Sequence, residues 1–171
     1  MKKYHMSESI LLRILLATAG GFFDAYTYVC RGEVFANAQT GNIVLLGIHL
    51  ANFDFMQAVR YLIPILAFSL GIFLAEHIRH NYFKQNLHWR QIILLIEMFI
   101  LFVTAWIDMD MVVNVLISFV CALQLESFRK FHGNAFASTM CTGNLRSASQ
   151  HLYHAYLYRD KIELKKDYSI F

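Results

Sequence analysis

Charge is what this sequence has least of. Asp, Glu, Lys and Arg make up 16% of its 171 residues, against about 25% in an ordinary soluble domain. One proline leaves few enforced turns, and three cysteines (Cys30, Cys121, Cys141) are an odd number without zinc-ligand spacing. They therefore imply neither a disulfide framework nor a structural metal. The net charge of +3 is not gathered into a basic groove, which argues against a nucleic-acid partner. A Ser-His-Asp order, a phosphate loop and a dinucleotide fingerprint are all missing, so the sequence supports neither an enzyme nor a cofactor. His77/His80 and His151/His154 have i, i+3 spacing but no third ligand nearby, which fits solvated or headgroup-facing side chains better than a metal site.

Apolar residues take the place of charge. They make up 57% of the chain, and the mean hydropathy is +0.43. They are bunched into "SILLRILLATAGGFFDAYTYVC" (Ser9 to Cys30), "YLIPILAFSLGIFLAEHI" (Tyr61 to Ile78), "IILLIEMFILFVTAWI" (Ile92 to Ile107) and "MVVNVLISFVCALQLESF" (Met111 to Phe128). A helix needs about 20 mostly apolar residues to cross a bilayer core of about 30 Å, so four spans are expected. Lys2, Lys3 and Ala17-Thr18-Ala19 imitate a secretory signal. Arg13 interrupts that apolar run and hydrophobicity continues past Ala19, which favours a retained span.

A polar hinge, Thr-Gly-Asn, occurs twice, at Thr40-Gly41-Asn42 and Thr142-Gly143-Asn144. The offset of 102 residues (142 minus 40) also brings Asp24 opposite Glu126 and His49-Leu50 opposite His151-Leu152. The aromatic residues Phe35 and Phe136 match after a one-residue gap. The chain thus reads as a single transmembrane domain, 1–171, with repeat one at about 9–79 and repeat two at about 111–171.

The short helices after the hinges, at about 18 Å, are too short to cross. If they dip in and return, one face holds twelve loop Lys and Arg residues and the other only Arg31 and Arg60, beside Asp108 and Asp110. That asymmetry predicts a cytoplasmic N-terminus in an inner or plasma membrane. It also makes the two repeats inverted, an arrangement that in transporters places a solute site at Gly-interrupted half-helices. Thr40 and Thr142 suit N-caps, Gly41 and Gly143 allow close approach, and Asn42 and Asn144 both donate and accept.

Ionisable groups within spans are expensive and default to a functional hypothesis. Asp24, Glu126 and Glu97 are therefore candidate coupling or gating groups. In the first span Arg13, Ala17, Gly20, Asp24, Thr27 and Arg31 form a small-and-polar stripe, with Gly21 and Tyr28 alongside, that is expected to avoid lipid. In the second, Asn114, Ser118, Ala122, Glu126 and Lys130 step along one face.

"GGFFDAYTYVCRGEVFANAQTGNIVLLGIHLA" and "CALQLESFRKFHGNAFASTMCTGNLRS" resemble the two signatures of the YoaK-like family of bacterial multipass inner-membrane proteins. The resemblance covers nearly the whole chain. It implies a polytopic all-α fold and adds Gln124 to Asp24 and the hinge residues as motif positions. It also implies a further span after the second short helix, where this chain reads "RDKIELKKDYSIF".

The expected function is passage of a small, unidentified solute. Thr40, Gly41, Asn42, Gln124, Thr142, Gly143 and Asn144 would bind it, and Asp24 would act as a proton-exchanging gate. The expected partners are the bilayer and that solute, and a homo-oligomer is compatible with the sequence. The rival is a membrane scaffold or sensor that uses its polar stripes for helix contacts.

Overall fold

The computed structural model describes residues 10–82, 89–128, 130–131 and 134–135, then 143, 145–146, 149–150, 152–154 and 156–157. It divides into two compact units, Met1–Thr139 and Met140–Phe171. The first contains α1 (Ile10–Cys30), α2 (Gln39–Ala51), α3 (Phe55–Tyr82), α4 (Trp89–Thr104) and α5 (Asp110–Ser127). The fold is all-α as expected, with one two-residue antiparallel pairing, Lys130–Phe131 with Asn134–Ala135, after α5.

All four apolar blocks are helical, with shifted ends. Among the described residues, two helices are both long and apolar enough to cross a membrane, Phe55–His80 within α3 and Asp110–Ser127. The 21 residues of α1 would reach about 31 Å, but its apolar stretch is confined to Ile14–Cys30. The 16 residues of α4 reach only about 24 Å. Its end tightens into i→i+3 bonds, from Ala105 N–H to the Phe102 carbonyl (3.3 Å) through Ile107 N–H to the Thr104 carbonyl (3.3 Å). Such bonds satisfy terminal carbonyls without a further α-helical turn.

α5 is the inner helix, with 61% of its span buried against 33% for α3. Gly71 of α3 lies against the Phe119 carbonyl and Ala122, and Arg79 reaches Glu126, so α3 and α5 run parallel. Ile93 packs with Leu123 near one end of α4 and Leu101 against Ile117 near the other, which makes α4 antiparallel to α5. α1 is antiparallel as well. Gln124 donates to the Leu16 carbonyl (3.1 Å) and Asn114 to the Arg31 carbonyl (2.8 Å).

The outer surface of this bundle is apolar, and its largely apolar core also holds polar side chains. Asn114, Ser118, Gln124 and Thr27 are buried, while Leu70 and Phe73 on α3, Leu95 and Phe99 on α4 and Leu15 and Phe22 on α1 are exposed. Apolar side chains directed outward gain from lipid, and polar ones must find partners inside. The α1 stripe divides: Gly20 and Thr27 are buried and Asp24 half-buried, but Ala17, Gly21 and Tyr28 are exposed. The expectation that the whole stripe turns inward is thus corrected, because α1 touches the rest of the unit along only one edge, mainly against α5.

Both turns flanking α2 follow helix-capping rules. α1 ends with Gly32 at φ 85°, and Glu33 N–H bonds the Tyr28 carbonyl at 3.0 Å. This is a Schellman arrangement with glycine at the left-handed position. α2 ends the same way: Phe53 has φ 57°, and its N–H bonds the Leu50 carbonyl (3.1 Å) while Asp54 N–H bonds the His49 carbonyl (2.9 Å). Asp54 then caps α3, accepting Gln57 N–H at 3.3 Å.

In the second unit, every described residue from Gly143 to Leu157 is helical, and Ser149 donates to the Leu145 carbonyl at 2.9 Å.

Candidate functional site

The first hinge and the acid before it form one hydrogen-bonded unit. After α1 the chain turns back along that helix. Asp24 Oδ1 accepts the N–H groups of Asn37 (2.7 Å) and Ala38 (3.1 Å), immediately before α2 begins. Asn42, fully buried, faces the same segment. Its Oδ1 accepts Phe35 N–H at 2.9 Å, and its Nδ2 donates to the Phe35 carbonyl (2.6 Å) and to Gln39 Oε1 (2.9 Å). A carboxylate at a helix N-terminus satisfies free N–H groups and complements the helix dipole. The 31–38 segment therefore leaves few backbone groups unpaired despite its irregular course.

Three sequence expectations are corrected by this geometry. Ala38, not Thr40, is the N-cap of α2, and no side chain of its own caps that helix. Thr40 lies inside the first turn and is exposed. Asp24, donated from α1, takes the capping role. Gly41 does allow a close approach, but by an aromatic ring of the same chain: a Cβ there would stand 2.7 Å from Phe35 Cδ2. Asn42, expected to offer its amide to a solute, is occupied by the Phe35 backbone. In the second hinge, Gly143 is helical and exposed, whereas Thr142 and Asn144 lie outside the described residues.

The other acids occupy different depths. Glu126 lies one residue before the end of α5 and pairs with Arg79 at 3.4 Å, while Arg79 also meets Glu76 at 2.6 Å. Glu97, in the middle of α4, is 5% exposed, and among the described residues neither its Oε1 nor Ser118 Oγ on α5 has a hydrogen-bond partner. Gln124, 2% exposed, is a bond between helices rather than a free amide. Among the described residues, no three His, Cys, Asp or Glu side chains gather as a metal site.

An open cleft of about 600 Å³ lies where α1 ends, α2 ends and α3 begins. Its lining includes Tyr28, Glu33, His49, Asp54, Arg60 and Tyr61. The His49 and Tyr61 rings stack at 5.4 Å, and His49 Nδ1 stands 3.4 Å from Asp54 Oδ2. The Arg60 guanidinium lies directly on Gly32. Pro64, inside α3, supplies no N–H to the Arg60 carbonyl four residues earlier. Tyr28 also stacks on Phe35 at 4.7 Å, which joins the cleft wall to the hinge. Motif reading missed Glu33, Asp54 and Tyr61. The available signal was Arg60, one of two cations expected on that face.

A helical bundle with an apolar outer surface, two helices long and apolar enough to cross a bilayer among the described residues, and a short helix whose entry is held by a carboxylate from a neighbouring helix has the character of an integral membrane protein. The chain belongs to the family of proteins of unknown function DUF1275, which it matches over residues 12–170. It is 30% identical over 149 residues to the UPF0700 transmembrane protein YoaK of Bacillus subtilis (strain 168). The match covers 82% of this chain and 65% of that relative, so the chain spans just under two thirds of the relative's length. No solved structure matches the chain.

Proposed function

We propose that the protein passes a small solute across the membrane, with the Asp24–hinge unit as its gate. One observation carries this reading: an acid within a span holds, through Asn37 and Ala38, the entry to a helix of 13 residues, about 20 Å long. The course of the chain supports a dip-and-return. The 31–38 segment returns to the level of Asp24, and α2 then runs back until His49 meets Tyr61 beside the end of α1.

The α1–α5 crossing supports an inverted repeat. The Gln124–Leu16 and Asn114–Arg31 bonds tie α1 antiparallel to α5, the relation that an inverted repeat requires. In this reading the N-terminus is cytoplasmic. The hinge is in its closed form, with Phe35, Asn42 and Asp24 satisfying one another, and release of Asn37 and Ala38 from Asp24 opens it. Glu97, buried in the middle of α4, serves as a second coupling group in this reading.

A scaffold or sensor is the alternative, favoured by the internal satisfaction of Asn42 and by the tight α3–α5 contact at Gly71. Uptake into proteoliposomes across a solute panel, at two pH values, separates the two. Cysteine labelling of Asn52 to Asp54, between α2 and α3, tests the topology, and reaction from the cytoplasmic side would sink the inverted arrangement.

A further inference from the structure

We infer that the cleft between the ends of α1 and α2 and the start of α3 binds a zwitterion of amino-acid size, with Arg60 taking its anionic group and Glu33 its ammonium. Arg60 and Glu33 both line the cleft. Among the described residues, neither side chain forms an ion pair or hydrogen bond. The other two charge-bearing groups are taken: Asp54 pairs with His49 and caps α3.

Opposite charges that share one cleft without pairing leave room for a ligand bearing both signs. The backbone is built to hold them so. Gly32 admits the guanidinium against its Cα, and Glu33 is held at φ 62°, a conformation non-glycine residues adopt at a cost. Tyr28 and the stacked His49–Tyr61 pair supply aromatic walls for the rest of the molecule. A guanidinium recognises carboxylate and phosphate alike, and a volume of about 600 Å³ suits a small metabolite with its water. The same chemistry is available from a free amino acid or from an ethanolamine phospholipid headgroup. Binding needs no transport, so this inference and the gate stand or fall separately.

The test uses the full chain in nanodiscs of phosphatidylglycerol, which carries no ammonium. Phenylalanine is expected to bind by calorimetry and to raise the unfolding midpoint. Phenylalaninamide and 3-phenylpropionate, each with one charge, should bind at least about tenfold more weakly, the loss expected for one charge-assisted contact. In E33Q, phenylalanine and 3-phenylpropionate should become equal; in R60Q, phenylalanine and phenylalaninamide should. Phosphatidylethanolamine in the disc competes with phenylalanine if the headgroup uses the site, and leaves its affinity unchanged if only free solute does. Either result supports the inference when the two variants abolish the discrimination. No binding of phenylalanine together with no stabilisation by phosphatidylethanolamine overturns it, as does equal binding of 3-phenylpropionate to the unaltered protein.

Discussion

Asp24 on α1 accepts the backbone N–H of Asn37 at 2.7 Å, thirteen residues further along the chain, and the same oxygen accepts Ala38 N–H. One oxygen therefore holds the segment from which α2 starts. Asp24→Asn keeps an acceptor there and should accumulate and insert normally while abolishing any pH dependence of solute uptake. Asp24→Ala leaves two N–H groups without that acceptor, at about 1–3 kcal/mol for each group that stays dry, and should lower the unfolding midpoint in detergent. If Asp24→Asn transports with unchanged pH dependence, or fails to accumulate, the residue is structural only.

Asn42 serves both polar groups of Phe35 and has no exposed surface. Asn42→Leu keeps the branched shape but strands the Phe35 N–H and C=O, so a loss of about 2–5 kcal/mol is expected. Amide exchange should accelerate across 31–38 before it does so in α5. Uniform acceleration would mean that Asn42 contributes to the bundle as a whole and is not the clamp of that segment.

Much of this architecture was legible because membrane helices announce themselves by apolar length. All four blocks are helices, and the α2 helix after the first hinge is there. The pairing of Asp24 with the hinge was half legible: the 102-residue offset linked acid, hinge and His-Leu as one unit but could not give their contacts. Thr40 was misjudged because a Thr before an apolar run is a good local cap, whereas here a carboxylate from α1 satisfies the N–H groups and lets the helix begin earlier. The outward face of Ala17 and Gly21 was hidden for a related reason. Small residues signal close packing only when a neighbour arrives, and the contacts of α1 fall on its Gly20–Thr27 edge. The cleft was hardest to read, since Glu33, Arg60 and Tyr61 come together only through two left-handed turns.

Gly71 marks a close α3–α5 contact. A Cβ there would stand 2.7 Å from the Phe119 carbonyl oxygen and 2.7 Å from Ala122 Cβ. A backbone atom cannot swing aside as a side chain can, so the helices must separate. Gly71→Ala should cost about 1–3 kcal/mol and Gly71→Leu should prevent a stable fold. Both are read from the unfolding midpoint and monodispersity in detergent. An unchanged midpoint for Gly71→Ala would mean that the two helices pack more loosely than described.

Arg31 joins the end of α1 to the start of α5 through Asp110 at 3.2 Å, and its Nε donates to the Tyr26 hydroxyl at 2.8 Å. The Tyr26 hydrogen bond first, and Asp110 second, hold the guanidinium above its ordinary pKa. Even so, Asp110 is 46% exposed, so solvent screens the pair. A double-mutant cycle between Arg31→Gln and Asp110→Asn should return less than about 1 kcal/mol. Asn114→Ala, which removes a buried donor to the Arg31 carbonyl, should cost more than that whole coupling, about 1–3 kcal/mol. The reverse ranking would make the ion pair the principal tie between the helices.

Gly32 is constrained twice, and the two constraints can be separated. Its φ of 85° is left-handed, where a residue with a Cβ pays about 1–2 kcal/mol. A Cβ there would also occupy the space of the Arg60 guanidinium. Gly32→Ala therefore strains the end of α1 and displaces Arg60, though the side chain can move at little cost in stability. Gly32→Ala should lower the unfolding midpoint by the backbone share, and Arg60→Gln alone should barely change it. In the double variant the collision is gone but the strain remains, so its midpoint should match that of Gly32→Ala. Binding of phenylalanine should respond differently: each single substitution weakens it at least about tenfold by removing or misplacing the same guanidinium, and the double variant weakens it no further. Additive losses of affinity would place Gly32 and Arg60 in separate contributions to the cleft, contrary to the direct contact between them.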